Sequence, residues 1–326
     1  MPAFAHETWF TDERPPYAWD FAFEPATLAA IAVVLLVAVA WRLAGAGLPS
    51  PELPFLNPVG RLAPWIPRLL AIHAGVSLLA QAANGSYLAP SLELPHGGAG
   101  TFLALLEGVT GVWLIAGYKI RPAAMLLAAS GPLGAIGYGV VPILERVDLL
   151  GIAVFLAIVP PDDDAPGGKT IPTHNVLAGA LFGLRLLVGG SLIVLAFTEK
   201  LARPDLALAF LEHYPALNIL QSLGFDVADL TFVRIAGAVE LLFGLLVISG
   251  AIPQVAVIVA GIPFNATLLY FGESELIGHL PVYGGMLALL VYGSLKETAH
   301  LVPWLPHRRP ERAEGVRSKP ASRPAR

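Results

Sequence analysis

The chain predicts an all-α, polytopic membrane protein, and three observations carry that prediction. Hydrophobic residues make up 56% of the sequence and charged residues 13%, against about 25% charged in an ordinary soluble domain. The apolar residues fall in runs of about 20, the length a helix needs to cross the hydrocarbon core. One run carries a carboxylate, Glu240, followed by Gly244 and Gly250, and a second repeats that ruler with Glu107, Gly111 and Gly117. A carboxylate with the same glycine spacing, met twice, suggests a duplicated unit.

Nine runs predict nine helices, over residues 26–48, 62–83, 101–118, 122–141, 142–159, 176–197, 230–249, 252–271 and 275–295. Pro122, Pro142 and Pro253 stand at helix starts, where a missing N–H costs nothing. The first helix (25–48) is extra. Residues 62–159 form one four-helix unit, residues 176–295 a second, and the polar stretch 160–175 links them. Four helices per unit make this a parallel repeat rather than an inverted one. The segment from Asp205 to Glu212 is too short to span and is expected to lie flat at the interface or to cap the bundle. Residues 296–326, rich in Arg and Pro, read as a disordered basic tail.

Lys and Arg in short loops set orientation. Arg42, Arg61, Lys119, Arg121 and the basic tail share one side, which is therefore cytoplasmic. Residues 1–24 are acidic, lack the basic start of a signal peptide, and lie outside. Arg14, Arg146, Lys200 and Arg203 dissent from that sorting. The expected location is the inner membrane of a prokaryotic cell, with the N-terminus out and the C-terminus in. The absence of cysteine excludes intrinsic thiol, disulfide and iron–sulfur chemistry and covalent c-type haem. No nucleotide loop, nucleophile motif or nucleic-acid patch is visible.

Ionisable residues inside the membrane are costly and need a partner, roughly 2.5–3.5 kcal/mol for a central charge on insertion scales. Counted from the cytoplasmic ends of their helices, Glu240 lies about 15 Å deep and Arg185 about 13 Å. An Arg185–Glu240 pair is therefore expected, with Arg68 and Glu107 as its counterpart in the first unit. Such pairs serve either as buried braces or as a proton or quinone site; an unpaired, protonated glutamate is the third reading. Gly111, Gly117, Gly244 and Gly250 are expected to let helix backbones approach closely. Glu275 and His279, four apart on one helical face, open the last helix; Glu145 and Asp148 stand at the equivalent start in the first unit. Acidic residues there complement the helix dipole, or form a proton entrance. Two carboxylates and one His are too few for a metal set. His73 and Asn265 read as helix–helix hydrogen bonders.

The second unit resembles the DoxX family of small four-helix membrane proteins. The resemblance rests on Arg185, Gly189-Gly190, Lys200, Pro204, Leu223-Gly224, Glu240, Gly244 and Gly250. It covers about residues 180–295 well. Residues 62–158 match more weakly, through Arg68, Gly75, Glu107, Gly111 and Gly117, with Asn84-Gly85-Ser86 near the place of the lysine. The resemblance implies a redox-associated membrane subunit that binds quinone or anchors an oxidoreductase partner. The alternatives are a small-solute or proton-coupled carrier working between the two units, and a non-catalytic scaffold. Glu240, Arg185, His279 and Glu275 are the candidate working residues. The oligomeric state is not legible.

Overall fold

The computed structural model describes residues 7–303. Helices dominate it, and eight are long and apolar enough to cross a membrane, which establishes a polytopic all-α membrane protein. In order, α1 (Glu7–Phe10) and α2 (Trp19–Phe23) are short, and α3 (Pro25–Gly47) is the first long helix. A 3-10 run, Pro54–Trp65, leads into α4 (Ile66–Ala83). A small antiparallel hairpin, β1 (Ser86–Tyr87) and β2 (Ala89–Glu93), pairs Ser86 with Glu93. Then come α5 (Gly98–Ala116), α6 (Ile120–Tyr138), α7 (Val140–Leu144) and α8 (Val147–Ile158). The second half holds α9 (His174–Leu195) with a π-helical extension (Ala196–Leu201), α10 (Pro204–His213), α11 (Ile219–Ser222), α12 (Asp229–Ser249), α13 (Pro253–Phe271) and α14 (Glu273–Gly293).

Eight of the nine expected helices stand within a few residues of their expected bounds. The fifth, expected over 142–159, is broken. Five residues of α7 stop at Glu145-Arg146, and α8 continues for 12 residues, about 18 Å. The reason is chemical: Arg146 and Asp148 are buried and turned toward one another, 3.8 Å apart, and the chain bends to bring them in. Asp148 stands in the first turn of α8, where the helix dipole favours it, and pairs with Arg146 as well.

The chain weaves between two faces. One carries α1, α2, the hairpin and α10, and is called here the N-terminal face. The other carries the 3-10 run, the 117–119 and 250–252 turns, and Val302. α3 packs on α12 at the edge. α14 lies at the centre and packs on α4, α8 and α9. One apolar core accordingly runs through both halves, from Leu70 and Ile152 to Leu184 and Met286. The Asp205–Glu212 segment lies within α10 and caps the bundle, burying Leu206, Phe210 and Leu211. Part of the expected tail, residues 296–303, is packed rather than free: Val302 is buried. Its remainder, and residues 1–6, lie outside the described residues.

Two glycine contacts explain the close helix pairs. A Cβ on Gly75 would stand 2.7 Å from the Gly111 carbonyl oxygen, and one on Gly111 2.8 Å from that of Gly75. Gly189 and Gly244 stand in the same relation, at 2.5 and 2.7 Å. Backbone meets backbone at both places, as expected for Gly111 and Gly244. Gly117 and Gly250 do something else. Both are left-handed helix caps, with φ of 83° and 59°, a conformation that only glycine adopts without strain.

Candidate functional site

At the N-terminal face, Lys200 sits at the end of the π-helical extension of α9 and is 1% exposed. Its Nζ lies 3.2 Å from Glu240 Oε2, 3.3 Å from Glu7 Oε1 and 4.0 Å from Glu199 Oε2. Three carboxyl groups therefore surround one ammonium, all buried. Gly237, one turn before Glu240, makes room: a Cβ there would stand 3.0 Å from Lys200 Cβ and 2.8 Å from Leu201 Cδ2.

The N-terminal segment closes this site. Glu199 caps α1, accepting hydrogen bonds from the backbone N–H of Glu7 at 3.1 Å and from Thr8 Oγ1 at 2.8 Å. Trp9 presses on Gly278, where any side chain would collide with its ring, and lies 4.9 Å from the His279 ring. Phe10 stacks on Phe271 at 4.0 Å. Farther along, the Ala18 N–H donates to the Ala202 carbonyl at 2.8 Å, and Arg234 pairs with Glu24 at 2.6 Å. The N-terminal segment, expected to be ordered or loosely docked outside the membrane, packs as a plug that supplies Glu7 to the cluster.

Burial holds the Glu7 carboxyl well above the usual carboxylate range. Lys200 opposes that shift, while the Glu199 and Glu240 charges add to it. Were every carboxyl ionised, the cluster would carry two uncompensated negative charges out of water, which favours the protonated form of a carboxyl here. Glu145, just before α8, is pushed up to about 7 by burial and by Glu199. His279 Nδ1 lies 3.5 Å from Glu275 Oε1, on the shared face that the sequence implies, and Phe264 flanks its ring at 5.0 Å. Glu275 is fully buried and within electrostatic reach of Glu199 and Lys200. Trp9 therefore touches a second buried acid–base pair, Glu275 and His279.

The two expected arginine–glutamate pairs do not form. Arg185 donates to the Val302 carbonyl at the opposite face, and Glu240 takes Lys200 instead. Arg68 donates to the Leu114 carbonyl at 2.9 Å and to that of Ile115. Glu107 accepts from the Leu88 N–H at 2.8 Å. The helix register explains both: Gly75 lies against Gly111 and Gly189 against Gly244, which leaves each glutamate well along the pair from its expected arginine. A guanidinium with five N–H donors is met instead by the last carbonyls of α5, which lack intrahelical partners, or by Val302. Gly117 and Gly250 leave space for it: a Cβ at either would stand 2.6 Å from the Arg68 or Arg185 guanidinium. His73 Nδ1 lies 2.7 Å from the Leu69 carbonyl oxygen, and Asn265 donates to Gly261 at 2.7 Å, each within its own helix rather than across to another.

Glu7, Glu199, Trp9, Gly237 and Gly278 escaped the sequence reading as site residues. Glu199-Lys200 next to one another at the end of an apolar run is the signal that was there to be used. Among the described residues no group of three or more His, Cys, Asp or Glu side chains is disposed to hold a metal. Comparison with protein-family models, curated proteins and solved structures finds no match for this chain.

Proposed function

We propose that the protein is a redox-associated membrane subunit of DoxX type whose working centre is the Glu7–Glu199–Lys200–Glu240 cluster. The cluster holds a proton beneath the N-terminal plug and passes it to the reaction of a lipid-soluble quinone, which takes up protons along with electrons. An oxidoreductase partner supplies the electrons. In this reading the chain is two tandem units after one extra helix, in the inner membrane, with the N-terminal face outside. The observation that carries the proposal is one buried ammonium shared by three buried carboxyl groups. A brace needs one acid per base; the excess acids favour proton storage.

The carrier reading is less well supported. A carrier needs a polar path toward both faces, and on the far side of the cluster the Gly189–Gly244 contact brings α9 and α12 together backbone to backbone. The first unit has Glu107 without a lysine beside it, so the second unit is the working half.

Isolation in mild detergent, with identification of co-purifying proteins and quinone, tests the proposal. Glu240→Gln keeps size and hydrogen bonding but removes the titratable group. It is expected to abolish quinone-linked turnover of the isolated complex while the protein still inserts and purifies. Glu107→Gln is expected to leave turnover nearly unchanged. Turnover unaffected by Glu240→Gln, or lost in Glu107→Gln alone, would overturn the assignment.

A further inference from the structure

The lipid-facing side of α13 carries a polar group with bonding capacity to spare. Ile258, Ile262, Asn265 and Leu269 recur at spacings of 4, 3 and 4 residues, the heptad rhythm that keeps one seam of a helix turned to a partner. All four are exposed, Ile262 at 65% and Leu269 at 81%. The opposite side of the helix, with Ala256, Ala260, Phe264 and Thr267, is buried in the bundle. Asn265 therefore faces lipid, about 9 Å inside the end of α13 that meets the N-terminal face. Its Nδ2 donates to the Gly261 carbonyl at 2.7 Å, which uses one of its two amide protons. Its Oδ1 accepts no hydrogen bond among the described residues. An amide left half-bonded in hydrocarbon is costly. Beside the stripe, α13 and α14 leave an open groove of about 410 Å³, with Gly261, Ile262, Asn265, Met286 and Leu290 in its walls. A Cβ on Gly261 would meet nothing nearer than Asn265 Nδ2, at 3.7 Å.

From this we propose that α13 is the contact face of a homodimer, in which two copies pack stripe to stripe and their Asn265 amides bond reciprocally. The bilayer selects the partner. Every copy inserts with the same orientation. A second copy, related by a two-fold axis along the membrane normal, therefore brings its own Asn265 to the same depth. Each amide then offers the other the N–H and C=O it has left, and both are satisfied without any further group. Lipid tails supply no hydrogen bond at that depth, and an unrelated helix would need a polar residue placed to match. The same two-fold sets the exposed isoleucines of each copy against the open groove of the other, knobs toward holes. Packing and interhelical hydrogen bonds of this kind drive helix association where lipid gives no hydrophobic drive. The dimer stands apart from the proton site, because the stripe lies on the side of α13 turned away from the buried acids.

The absence of native cysteine makes cross-linking a clean test. Single cysteines replace Ile262, Leu269, Val259 or Leu36 in the full chain, all four exposed. Val259 lies about a quarter-turn off the stripe, and Leu36 is on α3. Oxidation in native membranes should join two copies through Ile262→Cys and Leu269→Cys, and give little dimer from Val259→Cys or Leu36→Cys. Equal yield at all four positions, as random collision would give, overturns the proposal. So do stripe cysteines joined only to a different protein, which would assign the face to another subunit. Affinity is read by energy transfer between donor- and acceptor-labelled copies, each carrying its dye at Asp163→Cys, as the purified chain is diluted in lipid vesicles. Asn265→Leu should weaken association by roughly three- to thirtyfold, the span that interhelical hydrogen bonds contribute in membranes. The position is exposed, so this variant is expected to fold as the wild type does. Gly261→Leu, which fills the groove, should weaken association without touching the outward side of the amide. A wild-type chain that stays monomeric at every density, or association unchanged in both variants, would show that the stripe meets only lipid and overturn the proposal.

Discussion

Lys200→Met replaces the one ammonium of the cluster with an apolar chain of similar length. Lys200 lies within 4.0 Å of three carboxyl groups, so its removal leaves buried acid without a counter-charge. Breaking a buried pair from one side costs about 3–5 kcal/mol. The carboxyls can avoid that cost by keeping protons, and this makes the loss depend on pH. An unfolded glutamate ionises above about pH 4.3, and holding it neutral in the fold costs about 1.4 kcal/mol per pH unit beyond that. The sign follows: with the folded-state affinity for the proton raised, stability is fullest at low pH and falls as pH rises. For each carboxyl kept neutral, about 2.7 kcal/mol should disappear between pH 5 and pH 7. Denaturant titration in mixed micelles at both pH values measures this. Lys200→Met should be near wild type at pH 5 and clearly weaker at pH 7, and Lys200→Met/Glu240→Gln should recover part of the difference. A variant as stable as wild type at both values, or weakened equally at both, would refute the reasoning.

The glycines make a sharper structural test. In Gly244→Ala the new methyl meets the Gly189 carbonyl oxygen at 2.7 Å, and backbone cannot step aside, so about 1–3 kcal/mol should be lost. Gly179→Ala, on the same helix pair but with nothing within 4 Å, should be neutral or gain up to about 1 kcal/mol; the same unfolding assay ranks them. Double-mutant cycles should find Arg185→Ala and Glu240→Ala additive to within about 0.5 kcal/mol, since they share no partner, whereas Lys200 and Glu240 couple. For topology, Glu93→Cys should label from outside with an impermeant maleimide and Asp163→Cys only after lysis; both positions are exposed, and the reverse pattern would invert the protein in the membrane.

Helix positions were legible because lipid demands long apolar runs, and α3, α5, α6, α9, α12, α13 and α14 follow that rule closely. The broken fifth helix was not, because Glu145, Arg146 and Asp148 cost little in a hydropathy average and much in a buried site. The arginine partners were misplaced because the depth arithmetic missed the register of the helix pair. Gly189 lies against Gly244, so Glu240 stands level with Ile193 and about 12 Å along α9 from Arg185, which meets Val302 instead. Glu240 itself was legible as a buried acid, from its isolation in an apolar run. Its surroundings were not: Glu7 is 233 residues away in sequence, and only the fold-back of the plug, tied by Glu199 and Trp9, brings it to Lys200.

The proton on the cluster is the central claim, and infrared difference spectroscopy reads it directly. A pH titration of the purified chain follows the C=O stretch of neutral carboxylic acids. The account predicts a band that persists at neutral pH, because burial holds Glu7 well above the usual carboxylate range, and that weakens in both Glu7→Gln and Glu240→Gln. A spectrum without protonated carboxyl at neutral pH, or a band indifferent to both substitutions, would contradict it.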